Sequence, residues 1–220
     1  MKDNSITRRK FLKTSGVVIS SVVLAGSGLT LLDDHEPVDP FPIYSIGDQN
    51  MSKRILVTYA SRTGSTAGVA EVIGQTLSNP ETRVDIFPIT EVKDLSPYNA
   101  VVAGSAIQGG EWLPEALDFV REHRSEFSRI PFAAFIVCMT LAMKKGDYGD
   151  QVKTWLNPVR TLVKPAREGF FAGSLDIAKI PSFADRMKFR LSVMAGVWSE
   201  GDHRDWHAIR TWAEDLNSVL

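Results

Sequence analysis

Ser61, Arg62, Thr63, Gly64, Ser65 and Thr66 put four hydroxyls, one guanidinium and one glycine into six consecutive residues, directly after the apolar run 55–60. That set of groups suits an anion. A helix opening at about Ser65 would point unsatisfied backbone N–H groups and a positive dipole end at the loop. Gly64 would let the backbone come close to the ligand, and the hydroxyls can donate to its oxygens.

The spacing narrows the anion. The loop is not G-x-x-x-x-G-K-[ST], so no lysine is set for a β/γ-phosphate, and G-x-G-x-x-G, the pyrophosphate fingerprint, is missing too. The third apolar run ends in Gly104-Ser105, where a response-regulator receiver needs an aspartate. No cysteine stands in the loop for a thiolate phosphatase. A single monoester phosphate, held mostly by neutral donors, remains.

The elements that must carry this loop are legible from periodicity. Apolar runs at 55–60, 84–88, 98–105, 131–139 and 170–175 alternate with stretches of helical spacing, the pattern of an α/β protein with a largely parallel sheet. Val69, Val72, Ile73 and Leu77 define a helix after the first strand, and Leu113, Ala116, Leu117 and Val120 a second, opened by Pro114. Val152, Trp155, Leu156, Val159, Leu162 and Val163 keep helical spacing, with Pro158 expected to kink or split that helix. Trp206, Ile209, Ala213, Leu216 and Leu220 define the last, capped by Asp202 or Asp205. Five strands with helices on both faces predict a doubly wound parallel sheet of order 2-1-3-4-5. Ligands then sit outside the carboxyl ends of the strands where the order reverses, between strands 1 and 3. The loops meeting there are 61–66 and 104–112.

Composition is that of a soluble globular domain: 220 residues, 44% hydrophobic and 23% charged. Charge is unevenly spread, with five bases and one acid in residues 1–13 and 20 bases against 25 acids in the remainder. No basic face points to nucleic acid. The lone Cys138 excludes an intrachain disulfide, and its apolar setting favours core packing over a redox role. The four histidines show no metal-ligand spacing.

Residues 1–32 read as an address. Arg8-Arg9 precedes Lys10-Phe11-Leu12-Lys13 and 19 uncharged residues, 14–32, diluted by glycine and serine. This layout resembles the twin-arginine export signal, which a receptor reads, and implies a periplasmic or other extracytoplasmic location. The same run is about long enough to stay as an uncleaved membrane anchor. Residues 33–53, with three prolines and several acids, read as a linker. Residues 54–220 are then one domain.

S-x-T-G-x-T at 61–66 after a buried strand resembles the FMN phosphate loop of flavodoxins. Residues 104–120 (GSAIQGGEWLPEALDFV) and 201–216 (GDHRDWHAIRTWAEDL) resemble the second flavin-contacting loop and the last helix of the branch that includes menaquinone-dependent protoporphyrinogen dehydrogenase. The resemblance spans about 54–218 and implies a flavodoxin-like fold with FMN as cofactor. Ser61 to Thr66 would wrap the phosphate. Ala106, Ile107, Gln108, Gly109 and Gly110 would line the isoalloxazine on one side, and Thr140, Leu141 and Ala142 on the other. Trp112 and Tyr148 are the candidates for an aromatic stacked on the ring. Residues 141–151 have no counterpart in the dehydrogenase, so no substrate contacts carry over.

Three functions stay open: an exported FMN oxidoreductase passing electrons to a partner protein or quinone, a quinone-linked protoporphyrinogen dehydrogenase, and a cofactor-free binding module of the same fold. Residues 182–196 mix Arg186, Lys188 and Arg190 with Phe183, Met187, Phe189, Leu191 and Met194. That pattern suits a membrane, a hydrophobic quinone or porphyrin, or simple packing.

Overall fold

The computed structural model describes residues 41–220. The export signal at 1–32 and the first part of the linker lie outside the described residues. Five parallel strands form the frame: β2 (Lys53–Ala60), β3 (Thr82–Pro88), β4 (Ala100–Gln108), β6 (Phe132–Cys138) and β7 (Arg167–Ala172). They lie in the order β3-β2-β4-β6-β7, the expected 2-1-3-4-5 sequence with its switch point between β2 and β4. Ile55 pairs with Ala100 and Ala60 with Ser105, so β4 runs on past the end of β2, to Gln108.

Two strands were not expected on this path. β1 (Tyr44–Ile46) pairs antiparallel with β3, Tyr44 opposite Ile86, and adds an outer edge to the sheet. It falls within 33–53, so the described end of that stretch is part of the fold and not a linker. Phe41 packs edge-on against Tyr59 at 6.0 Å, and the Tyr59 hydroxyl donates to the Pro42 carbonyl. The two-residue β5 (Glu111–Trp112) folds back on β4.

Helices cover both faces. On one face α1 (Ser65–Leu77) packs against the last helix, α6 (Trp206–Leu216). Ile73, Leu77, Ile209, Ala213 and Leu216 are fully buried there, with Phe135 of β6 beneath them. On the other face lie α2 (Pro114–Glu122), α3 (Gly149–Thr154) and α4 (Asn157–Leu162), burying Leu113, Ala116, Leu156 and Val159. Removing each of the leucine, isoleucine, valine and phenylalanine side chains from water contributes about 1.5–3 kcal/mol. The break between α3 and α4 falls just ahead of Pro158, as its missing N–H requires. α6 is capped by Asp205, whose carboxylate accepts from His207 N and Ala208 N.

The amino ends of the strands are tied by one buried charge. Asp85 is fully buried in β3 and accepts from Arg54 Nε (2.6 Å), Arg83 Nε (3.0 Å) and the Tyr98 hydroxyl (3.1 Å). Burial pushes its carboxyl up, but the hydrogen bonds from Ser45, Arg54 and Arg83 outweigh that and hold it below the usual carboxylate range.

After β7 the chain does not enter its last helix directly. A two-residue ladder of β8 (Ser174–Leu175) and β9 (Gly201–Asp202) encloses α5 (Phe183–Met194). Leu175, Ile177 and Ile180 form a small separate core with Phe189, Val193, Trp198 and Met139. This unit stands at the carboxyl end of the sheet.

Candidate functional site

Loop 61–66 begins where β2 ends and finishes as the first turn of α1. Its centre is Gly64, in the left-handed region at φ 85°. A Cβ there would meet nothing within 4 Å, so backbone conformation and not crowding selects glycine. The Ser61 hydroxyl accepts from Gly64 N at 3.1 Å and closes the loop on itself. No side chain caps α1, and its first turn holds no acid. By contrast α5 and α6 are capped by Ser182 and Asp205. Thr66 in that first turn is fully buried, yet its hydroxyl has no hydrogen-bond partner. A buried orphan hydroxyl costs about 1–3 kcal/mol. Free N–H groups, no competing acid and an unpaired donor together fit a phosphate.

Arg62 is turned to a different task. Its guanidinium forks onto Glu115 in the first turn of α2, Nη1 donating to Oε1 and Nη2 to Oε2 at 3.1 Å. Burial pushes the Glu115 carboxyl up, but the Arg62 contact prevails and leaves it below its ordinary value. Ser65 is also engaged: its hydroxyl accepts from Ser174 N at 2.9 Å and fastens the β8–β9 unit to the loop.

The cation on the loop's far side is Arg204, which the sequence did not single out. Its guanidinium lies 4.2 Å from the Trp206 ring centre, forks onto Asp202 (2.8 and 2.9 Å), and donates to the Ser65 carbonyl at 3.4 Å. Its room comes from Gly68: a Cβ there would stand 2.6 Å from Arg204 Nη1. A glycine one turn into α1 and an arginine ahead of a tryptophan carry no spacing signal that links them. Thr63, Gly64, Ser65, Ser174, Lys179 and Arg204 share a cavity of about 430 Å³ with three acids, Asp176, Glu200 and Asp202. The acids outnumber the cations, so side-chain charge does not draw a phosphate to this recess. The anion-binding groups are those of the loop and α1 themselves.

The second loop is a tight hairpin. Ile107 pairs with Trp112 and Gln108 with Glu111, leaving Gly109 (φ 64°) and Gly110 (φ 84°) as a two-residue turn that needs positive φ at both positions. Ser105 secures its base, its hydroxyl donating to the Ala106 carbonyl and accepting from Leu113 N. Trp112 is 4% exposed and lies in the core among the side chains of the α2–α4 face. It therefore offers no open face for ring stacking, and that expectation is corrected. Its Nε1 has no partner.

Thr140, Leu141 and Ala142 form part of a half-buried 3-10 turn at the end of β6. Tyr148 is half-buried against the same core and forms the N-cap of α3, with Gly146 close against its ring. Ala106, Ile107 and Gln108 end β4, which pairs with β6 up to Ala106 opposite Val137. The three sequence-predicted segments thus leave three adjacent strands at one end of the sheet. Among the described residues no grouping of histidine, cysteine and carboxylates suits a metal ion.

Comparison with known proteins bears on the fold and the family. The family described as "Flavodoxin domain" matches residues 56–202. Over 181 residues the chain is 28% identical to the protoporphyrinogen IX dehydrogenase (quinone) of Leishmania major, with 77% of each chain covered. Among solved structures it is similar to a short-chain flavodoxin associated with a PDU bacterial microcompartment, at 16% identity and TM-score 0.50, over 76% of this chain and 98% of the other. The sheet order, the switch-point loops and the extent of the family match lead to one assignment: the chain belongs to the flavodoxin domain family.

Proposed function

We propose that this protein is an exported, FMN-binding oxidoreductase that passes electrons to a partner protein or quinone. The observation that carries the cofactor is the uncapped start of α1 with the partnerless Thr66 hydroxyl inside it. A phosphate monoester would accept from Thr66 and from the free N–H groups of the first turn, with Thr63 and Ser65 beside it. FMN, when bound, supplies the redox chemistry, exchanging hydride or single electrons. The chain's own part is to hold and enclose it. Ser61 fixes the loop. The 106–110 hairpin and Thr140, Leu141, Ala142 and Tyr148 would flank the ring. The Arg62–Glu115 pair joins the phosphate loop to α2, which starts just beyond the hairpin.

The test is direct. Purified protein should be yellow or should quench the fluorescence of added FMN, and Thr66→Val should weaken that quenching. Colourless protein with no quenching would support a cofactor-free module. Export is argued from the sequence layout of residues 8–32: changing Arg8 and Arg9 to lysine should leave the protein in the cytoplasm, and unchanged export would count against the signal.

The Leishmania relative favours a more specific second reading, quinone-linked oxidation of protoporphyrinogen. An anaerobic assay with protoporphyrinogen and a menaquinone analogue separates the two. Porphyrin fluorescence should rise for a dehydrogenase and stay flat for an electron carrier.

A further inference from the structure

Five large apolar side chains are exposed among the described residues: Ile43, Phe183, Met187, Leu191 and Met194. Four belong to α5, which buries no residue fully. At 100° per residue Phe183, Met187, Leu191 and Met194 share one stripe, while Phe189 and Val193, on another side, hold the helix to its small core. Phe183 is 69% and Met194 83% exposed. Packing among the described residues therefore does not account for the stripe, and a contiguous exposed patch of this kind marks a contact surface.

Its position and charge identify what covers it. β7 ends just before the β8–β9 unit, and Ser174 is bonded to the loop that follows β2, so α5 stands at the carboxyl end of the sheet. Ile43 is at the same end: β1 runs antiparallel to β3, and the chain just before it meets Tyr59, next to last in β2. All five exposed apolar residues thus lie at the end that carries the candidate cofactor loops. Arg186 and Arg190 lie one turn apart along one border of the stripe; Lys188, along the other, is paired with the single acid Asp185 at 2.8 Å, so the helix's net positive charge rests on the arginines. A second copy of the chain fits poorly, because a two-fold pairing of these stripes would bring cations toward cations. An anionic lipid surface satisfies both components: apolar side chains enter the headgroup boundary while Arg190 and Arg186 face lipid phosphates.

We propose that α5 is an interfacial helix that seats the carboxyl end of the sheet on an anionic bilayer. This does not depend on the identity of the cofactor.

The experiment uses the full chain with Met194→Cys carrying a polarity-sensitive NBD label, and a second variant labelled at Asn217→Cys. Asn217 is exposed just after α6, toward the opposite end of the molecule, and the native Cys138 is buried. On phosphatidylglycerol–phosphatidylcholine vesicles the label at 194 should brighten and shift to the blue while that at 217 stays unchanged. Arg190→Gln should reduce the immersed fraction about five-fold, and added salt should do likewise. Protein that sediments with vesicles while the label at 194 remains in water would overturn the proposal. So would an equal response at both labels, or a blue shift that grows with protein concentration in the absence of lipid.

Discussion

Thr66 carries two opposite expectations in one side chain. Bound phosphate gives its hydroxyl a partner, whereas the cofactor-free protein leaves it buried and unpaired. Thr66→Val keeps the shape and removes the oxygen. FMN affinity should fall by about 2 kcal/mol, roughly thirty-fold, while the cofactor-free protein gains about 1 kcal/mol of stability. Fluorescence titration and denaturant unfolding read the two separately, and a loss in both would mean that Thr66 is structural. Arg62 illustrates the limit of reading charge from sequence. It stands in the loop and is its only cation, yet its fork is closed on Glu115. Arg62→Gln should therefore change FMN affinity less than about three-fold, an amount within the range of exposed ion pairs. The hydroxyls and Gly64 were readable because their roles depend on local backbone. Arg204 was not, because Gly68 and the Ser65 carbonyl meet it only through the fold.

The elements show the same division. β2, β4 and β6 were evident as uninterrupted apolar runs because both their faces are covered, and Pro158 announced the break between α3 and α4. β5, β8 and β9 have two residues each, too few to display a period, and β1 has three. The pairing that makes them strands is tertiary. Close packing between elements gives a sharper prediction at Gly104. A Cβ there would fall 1.9 Å from the Phe135 ring, which lies on β6 directly opposite. Gly104→Ala should destabilise the domain by about 3 kcal/mol, and Phe135→Leu in the same chain should recover part of the loss. Additive losses in a double-mutant cycle would refute the contact. At α6, Asp205→Ala removes a cap that serves two N–H groups and should lower stability by about 1 kcal/mol in thermal unfolding.

At the scale of the molecule the two ends of the sheet differ in kind. The amino end is closed by the Asp85 cluster and the carboxyl end bears the loops, the α5 unit and the exposed apolar side chains. Asp85 has its carboxyl below the ordinary range in the folded state, so its contribution is complete above the unfolded pKa and is lost as pH falls through the folded one. Stability measured against pH should decline below the usual carboxylate range. Asp85→Asn should flatten that decline while reducing stability at neutral pH, since it leaves Arg54 and Arg83 without their anion. An unchanged acid limb would show that other carboxylates govern it. The doubly wound architecture was legible as a whole because it follows from alternating periods. The loops at its carboxyl end followed from the same reasoning, whereas the Asp85 cluster and the exposed α5 unit did not, because they arise where segments distant in sequence converge.

The outer strand β1 has a practical result of its own. It occupies the hydrogen-bonding rim of β3, and the residues just ahead of it lean on Tyr59. A protease cut near Lys53, where the hydrophobic pattern suggests a natural boundary, would strip that rim bare. The shortened protein would then expose an open ladder able to recruit the same segment from neighbouring molecules, and precipitation would accompany trimming even though every cofactor loop survived.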